Sequence, residues 1–508
     1  MSKLIFGVAG GMLMVCLLTD SQAAEAENAF VKVSADTPVY RLEQKGEKDF
    51  NAYCGGNTPA IFSVAAQQPD WELVTPANGS LEIKPGTSGV WQVKSQLRED
   101  KPEGKIYLWN YFIKAEEYNA KNITVPFGKT VTYSAYEGPT KVNSDWDVSG
   151  YENSKQKSNT DSIIFSRSFW NITEWFTESY STPKPGVYEI KANLTGNHSV
   201  SDSGAMTVVG AEFTENESHN YGFDDYSNWS LGPTDYYKVG TERKGHCTLP
   251  YASVRAGDQG MAYLTVDPTS NTKDIQISSS ASENDLALNP ETAIATTDFT
   301  FTPALSWFPQ TATVTAKMDD TPLAKMEVTS YDLRHYKCLL VPVSRDGITG
   351  SGVHSSCEKL NFVFKQAIIE FSRDIQKYVY NSFPPNDEWS DEDLLALATS
   401  FVQNNPNAKD DYDFFVFNIE GTYKVRPRSQ GCANRNCYSF IFSLPIATGI
   451  IKYLAAHEIG HNFDLDDLYD TDTSEPGPDK DNLMNNSNLD CYKLRKYQWQ
   501  TIRAHHND

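Results

Sequence analysis

Near its C-terminus the chain reads Ala455-Ala-His457-Glu458-Ile-Gly-His461-Asn-Phe-Asp464-Leu-Asp466-Asp467. Two histidines four residues apart present their imidazoles to one ion on a helix, because positions i and i+4 share a face. The spacing therefore predicts a helix here, with Glu458 beside the ion and not on it. Zinc takes neutral nitrogen ligands in an incomplete tetrahedron, and water in the remaining position loses a proton near neutral pH. Glu458 is then the expected general base. The bland reading is a pair of satisfied core histidines, and the acid at the second position of the motif counts against it.

The run from Thr448 to Phe463 carries an apolar stripe of Ile450, Ile451, Leu454, Ala455, Ile459 and Phe463, with Thr448 as the N-cap. Two histidines do not complete a zinc shell. The acid-rich continuation Asp464, Asp466, Asp467 and Asp470 offers the missing ligand, and register favours Asp467 over Asp464, since after a turn at 464 the chain must travel a few residues before pointing back at the metal.

HEIGHNFDLDD resembles the metzincin clan of zinc metallopeptidases, in which HExxHxxGxx is followed by His or Asp. The resemblance implies that Asp467 is the third zinc ligand after His457 and His461, as in the snapalysins. Asn482-Leu-Met484-Asn is similar to the clan's Met-turn, which places Met484 beneath the metal, and the segment Cys491 to Ile502 is similar to the closing helix of pappalysin-like metzincins. It also implies that Tyr438 to Leu444, the strand before the metal helix, edges the cleft and pairs with an extended peptide. Two positions depart from the pattern: Asp464 stands where the family has glycine, and Asn486 where some members have tyrosine. Asp tolerates the left-handed backbone better than most residues, so the turn at 464 stays feasible. A third ligand from a later helix would have to be Glu475, which Pro476-Gly-Pro478 disfavours.

The N-terminus has Lys3, an apolar run from Leu4 to Leu18 and a small-residue site at Ser21-Gln-Ala23, which predicts a signal peptide over 1–23 and export. That run is short for a membrane span, and no later stretch reads as a transmembrane anchor. A net charge of -22 argues against a nucleic-acid partner. Seven cysteines remain after Cys16: Cys54, Cys247, Cys338, Cys357, Cys432, Cys437 and Cys491. Disulfides are expected outside the cell, Cys432 with Cys437 being near enough to close a small loop, and the odd number leaves one over. Cys247 invites inspection as a zinc cap in a latent form, a structural disulfide being the commoner fate. From Asp470 to Asp481 oxygens recur at alternating positions, and two readings stand: a non-EF Ca2+ site or a solvated acidic loop.

Between Phe30 and Val328, short β-branched and aromatic runs alternate with Gly, Pro, Asn and Ser clusters: Val90–Val93, Ile106–Trp109, Thr130–Tyr133, Val187–Ile190 and Thr311–Val314. These predict β-rich modules over 28–115, 116–213 and 214–330, the second an immunoglobulin-like sandwich. After Asp332 the texture changes to strand Cys338–Val343, a helix over Leu360–Val379, a capped helix from Ser390 with Leu394, Leu395, Ala398 and Phe401 inward, and strands at Phe414–Phe417 and Tyr438–Phe442. The expected fold is thus multidomain: all-β modules followed by a C-terminal α+β metzincin-like domain over 332–508. The expected activity is that of a secreted Zn2+-dependent metalloendopeptidase acting on a protein or glycoprotein substrate. The rival reading is a surface adhesin or glycan-binding protein, which exposed Trp71, Trp146 or Trp175 would favour.

Overall fold

Alternating apolar runs bounded by turn residues become strands because one face can be buried while the other meets water. Four of the five β runs named above fall wholly within strands, and the fifth, Thr130–Tyr133, is strand from Val131 onward. The computed structural model describes residues 25–27, 31–35, 39–44, 49–55, 60–66, 71–74, 81–83, 89–95, 104–150, 155–166, 179–181, 185–224, 249–345, 348–349, 359–425, 431–434, 437–443, 453–467, 482–484 and 492–505. Outside them lie the signal segment 1–23, Cys16, Trp175, Cys247, Cys357, Thr448, Ile450, Ile451, the loop 470–481 with Glu475, Asn486 and Cys491. Among the described residues no helix is long and apolar enough to cross a membrane.

Two compact units divide the chain, Met1–Val209 and Gly210–Asp508. In the first, strand Gly104–Ala115 pairs with Phe50–Gly55, Gly89–Ser95 and Val131–Glu137. That strand joins residues on both sides of the module border expected between 115 and 116. Trp146 lies in the core, 1% exposed, its indole N–H donating to the Thr160 carbonyl at 3.0 Å. It is therefore no binding platform.

In the second unit, residues 210–215 pair with Gly260–Asp267, which pairs with Thr297–Pro303. Tyr251–Arg255, Thr321–Tyr331, Gln310–Met318 and Ile275–Ser279 form a further sheet. His219 is wedged among Tyr221, Phe223 and Phe301. Its Nδ1 accepts from the Met261 N–H at 3.1 Å, so a second ring proton has no room. Burial, with a smaller contribution from Lys365, pulls its pKa from 6.5 to about 4. The unfolded chain then takes up a proton that the folded one refuses. Stability from this residue is complete above about pH 6.5 and is lost as pH falls from there through about 4. At about 1.36 kcal/mol per pKa unit the loss is roughly 3 kcal/mol. Thermal unfolding of wild type and His219→Gln across that range should show a steeper acid fall in wild type, and parallel curves would refute the assignment.

The C-terminal part of this unit is built on strands β1 (Arg334–Arg345), β2 (Ile369–Ile375), β3 (Phe414–Glu420), β4 (Gly431–Ala433) and β5 (Tyr438–Ser443). They lie in the order β2-β1-β3-β5-β4, all parallel except β4. Helices α1 (Leu360–Phe364), α2 (Asp391–Asn404), α3 (Leu454–Asn462) and α4 (Lys496–Ala504) accompany the sheet. One face packs Leu340, Phe414 and Val416 against α1, α3 and α4, and the other packs Leu339, Phe415 and Phe417 against α2. The helix expected over Leu360–Val379 is not formed. It stops after α1 and a turn at Lys365–Ala367, Ile368 adopts a left-handed backbone (φ 59°), and β2 follows. The apolar spacing there suits both periods, and pairing with β1 selects the strand. Ser390 does cap α2, exchanging bonds with Asp393, but Leu397 and not Leu395 faces the core, Leu395 being 55% exposed.

Candidate metal centre

Helix α3 presents His457 and His461 on one face, their rings 4.9 Å apart and perpendicular. Each ring is held from behind by a backbone carbonyl: His457 Nδ1 lies 2.8 Å from Leu483 O, and His461 Nδ1 lies 2.8 Å from Leu465 O. Carbonyls only accept, so both Nδ1 atoms carry a proton and both Nε2 atoms point inward. Asp467 Oδ1 stands 3.3 Å from each Nε2.

That separation provides a test of fit. Ligand atoms about 2.0–2.1 Å from a tetrahedral zinc are separated by roughly 3.3–3.4 Å. The edges running to Asp467 match, and the chemistry of the set, two imidazoles and a carboxylate, is that of an open zinc site. Burial pulls the pKa of both histidines down, but the bond to Asp467, aided by Glu458, outweighs it and holds them above their ordinary value. A group of atoms that so favours positive charge is one in which a cation is welcome.

Glu458 is 4% exposed, and its Oε2 has no hydrogen-bond partner among the described residues. Burial drives its pKa upward. The carboxylate fits because Gly431 of β4 has no side chain: a Cβ there would lie 2.3 Å from Glu458 Oε1. Met484 lies under the helix, where a Cβ on Gly460 would come within 2.8 Å of its sulfur. Asn462 ties α3 to β5 through Ser439 Oγ at 2.8 Å.

Asp464 adopts the left-handed backbone (φ 63°), and its carboxylate meets His505 Nδ1 at 3.0 Å. The turn it makes carries Leu465 O back to His461 and Asp467 to both histidines. The structure thus brings together His457, His461, Asp467, Glu458 and Met484, and directs Asp464 elsewhere.

Strand β5 is bonded along one edge to β3 and along the other to β4, so it does not offer the open edge expected of Tyr438–Leu444. The antiparallel β4 took that position because a hairpin returns the chain beside β5. Cys432 and Cys437 are separate thiols and not the expected loop closure. Burial, then the neighbouring Glu458 carboxylate, pushes the Cys432 thiol up, and Cys437 is pushed up to about 11 by burial. Neither is an activated nucleophile.

No family model matches the chain, and comparison with curated proteins returns no match. Among solved structures it is similar to the three N-terminal domains of the Highly Immunogenic Outer Capsid protein of bacteriophage RB49, with 9% identity and TM-score 0.22 over 60% of this chain and 99% of that one. It is also similar to the I9-I11 tandem from titin, with 13% identity and TM-score 0.17 over 57% of this chain and 99% of that one. A third likeness is to the Bacteroides ovatus protein SGBP-B, solved in complex with a mixed-linkage heptasaccharide, with 12% identity and TM-score 0.14 over 59% of this chain and 70% of that one. At these scores the likeness carries no argument about fold or function.

Proposed function

We propose that the chain is a zinc-dependent metalloendopeptidase, with a metzincin-type α+β catalytic region preceded by immunoglobulin-like β modules. The convergence of His457 Nε2, His461 Nε2 and Asp467 Oδ1 beside a buried glutamate is the observation that carries this reading. Zinc bound by those three residues would act as a Lewis acid toward water and the scissile carbonyl. Glu458, whose pKa burial raises, would accept the proton of the attacking water and return it to the leaving amine. The adhesin reading draws no support from Trp146, which is core.

The test is a zinc competition titration together with cleavage of a diverse peptide library. The wild-type chain should bind one zinc and cleave peptides until a chelator is added. Asp467→Ala should weaken zinc by more than the roughly 10- to 100-fold that loss of an outer partner costs, whereas Asp464→Gly should weaken it less. Cleavage that survives complete removal of metal would refute the mechanism, and the reverse ranking of the two variants would move the ligand to Asp464.

A further inference from the structure

The acceptor that orients His457 sits on a short turn, Asn482–Met484, which a β-bridge between Asn482 and Lys493 joins to the segment that follows. Among the described residues neither a helix nor a sheet ladder holds Leu483 O, so something else must.

That something is a pair of buried amides. Asn482 Nδ2 donates to Gln498 Oε1 at 2.9 Å, and Gln498 Nε2 donates back to Asn482 Oδ1 at 3.1 Å. Two backbone donors settle which end of each amide is which: Met484 N–H on Asn482 Oδ1 at 2.9 Å and Arg495 N–H on Gln498 Oε1 at 2.8 Å. Asn482 is fully buried and Gln498 is 1% exposed, so water does not substitute for either.

Helix α4, which carries Gln498, is seated from outside the catalytic sheet. Asp224, fully buried, accepts from Lys496 N–H at 3.0 Å and from Arg495 Nη1 at 3.2 Å. Gln366 holds the approach to the helix, its amide bonding Leu494 N–H and Tyr492 O, while its own carbonyl accepts from Ser253 Oγ. At the far end His505 reaches the Asp464 turn that supplies Leu465 O to His461.

We propose that Gln498 is a positioning residue for the metal site: through Asn482 it sets the carbonyl that fixes the tautomer and ring orientation of His457, and α4 relays to that carbonyl the anchorage provided by Asp224 and Ser253 of the preceding β module. The inference rests on the zinc reading of the site. Outer partners of this kind govern metal affinity because a ligand that can rotate loses the geometry the ion requires.

The experiment uses the full chain with Gln498→Met, which keeps length and volume and removes every hydrogen bond, and Gln498→Glu, which keeps the acceptor and replaces the donor. Zinc affinity by competition, the absorption spectrum of the cobalt-substituted protein and metal-free thermal unfolding are measured on each. In folded variants zinc affinity should fall about 10-fold or more and the cobalt bands should shift, since His457 is no longer held. A merely structural residue would lower the unfolding temperature and leave both unchanged, and that result would overturn the proposal. If Gln498→Met does not fold, the isosteric Gln498→Glu decides by the same readings. Failure of the wild-type chain to bind zinc would instead remove the reading of the site itself.

Discussion

Replacing Glu458 with glutamine should leave zinc bound at close to wild-type affinity and cut peptide hydrolysis by at least ~10²- to 10⁴-fold. The two halves of this result separate because Glu458 lies beside the three converging ligand atoms and is not one of them. Glutamine keeps the volume packed against Gly431, where alanine would leave a void next to His457 and His461. On the proposed mechanism, what it removes is the group that takes a proton and gives it back. Burial raises the Glu458 pKa. Hydrolysis of a library peptide and zinc titration of the same preparation check the prediction. Near-wild-type turnover would place the base elsewhere.

A chain shortened to begin at Val328 should lose both cooperative unfolding and zinc, whereas one beginning at Gly210 should keep both. Leu249 and Tyr251 of the β module lie in the same core as Phe463, Met484 and Trp499. Gly222 packs so closely on Trp499 that a Cβ there would come within 2.4 Å of the ring. Asp224 is the buried partner of Arg495, itself 5% exposed. Removing one member of a buried ion pair costs about 3–5 kcal/mol, because the other charge stays buried and unmatched. Against a total of about 5–15 kcal/mol for a typical domain, that loss and the opened core together are decisive. Calorimetry of the two shortened chains, with zinc titration, gives the answer. A sharp transition and tight zinc in the chain from Val328 would show that the α+β region carries its own core.

The histidine pair, the glutamate, the capped helix at Ser390 and the left-handed turn at Asp464 were all legible from neighbouring residues. Each is a local arrangement, closed within one or two turns of chain, and so leaves a spacing or a residue type to read. Asp467 needed more, since two carboxylates three residues apart fit the composition equally well. The turn at 464 separates them, sending Asp464 to His505 and Asp467 to the histidines.

What the amino-acid order by itself determined is therefore the placing of the histidine pair and glutamate on α3 and the β character of the first part of the chain. Only the tertiary structure decided that Ile369–Ile375 is a strand, that β4 and not β5 carries the sheet's antiparallel edge, and that Gly210–Asp508 is one unit. Gln498 belongs with these. Its partner is sixteen residues away, and the acid that seats its helix, Asp224, is 271 residues before Arg495. Hydrogen bonds and core contacts between segments so distant impose no periodicity on either, because each segment carries half of the pairing and the fold alone brings the halves together.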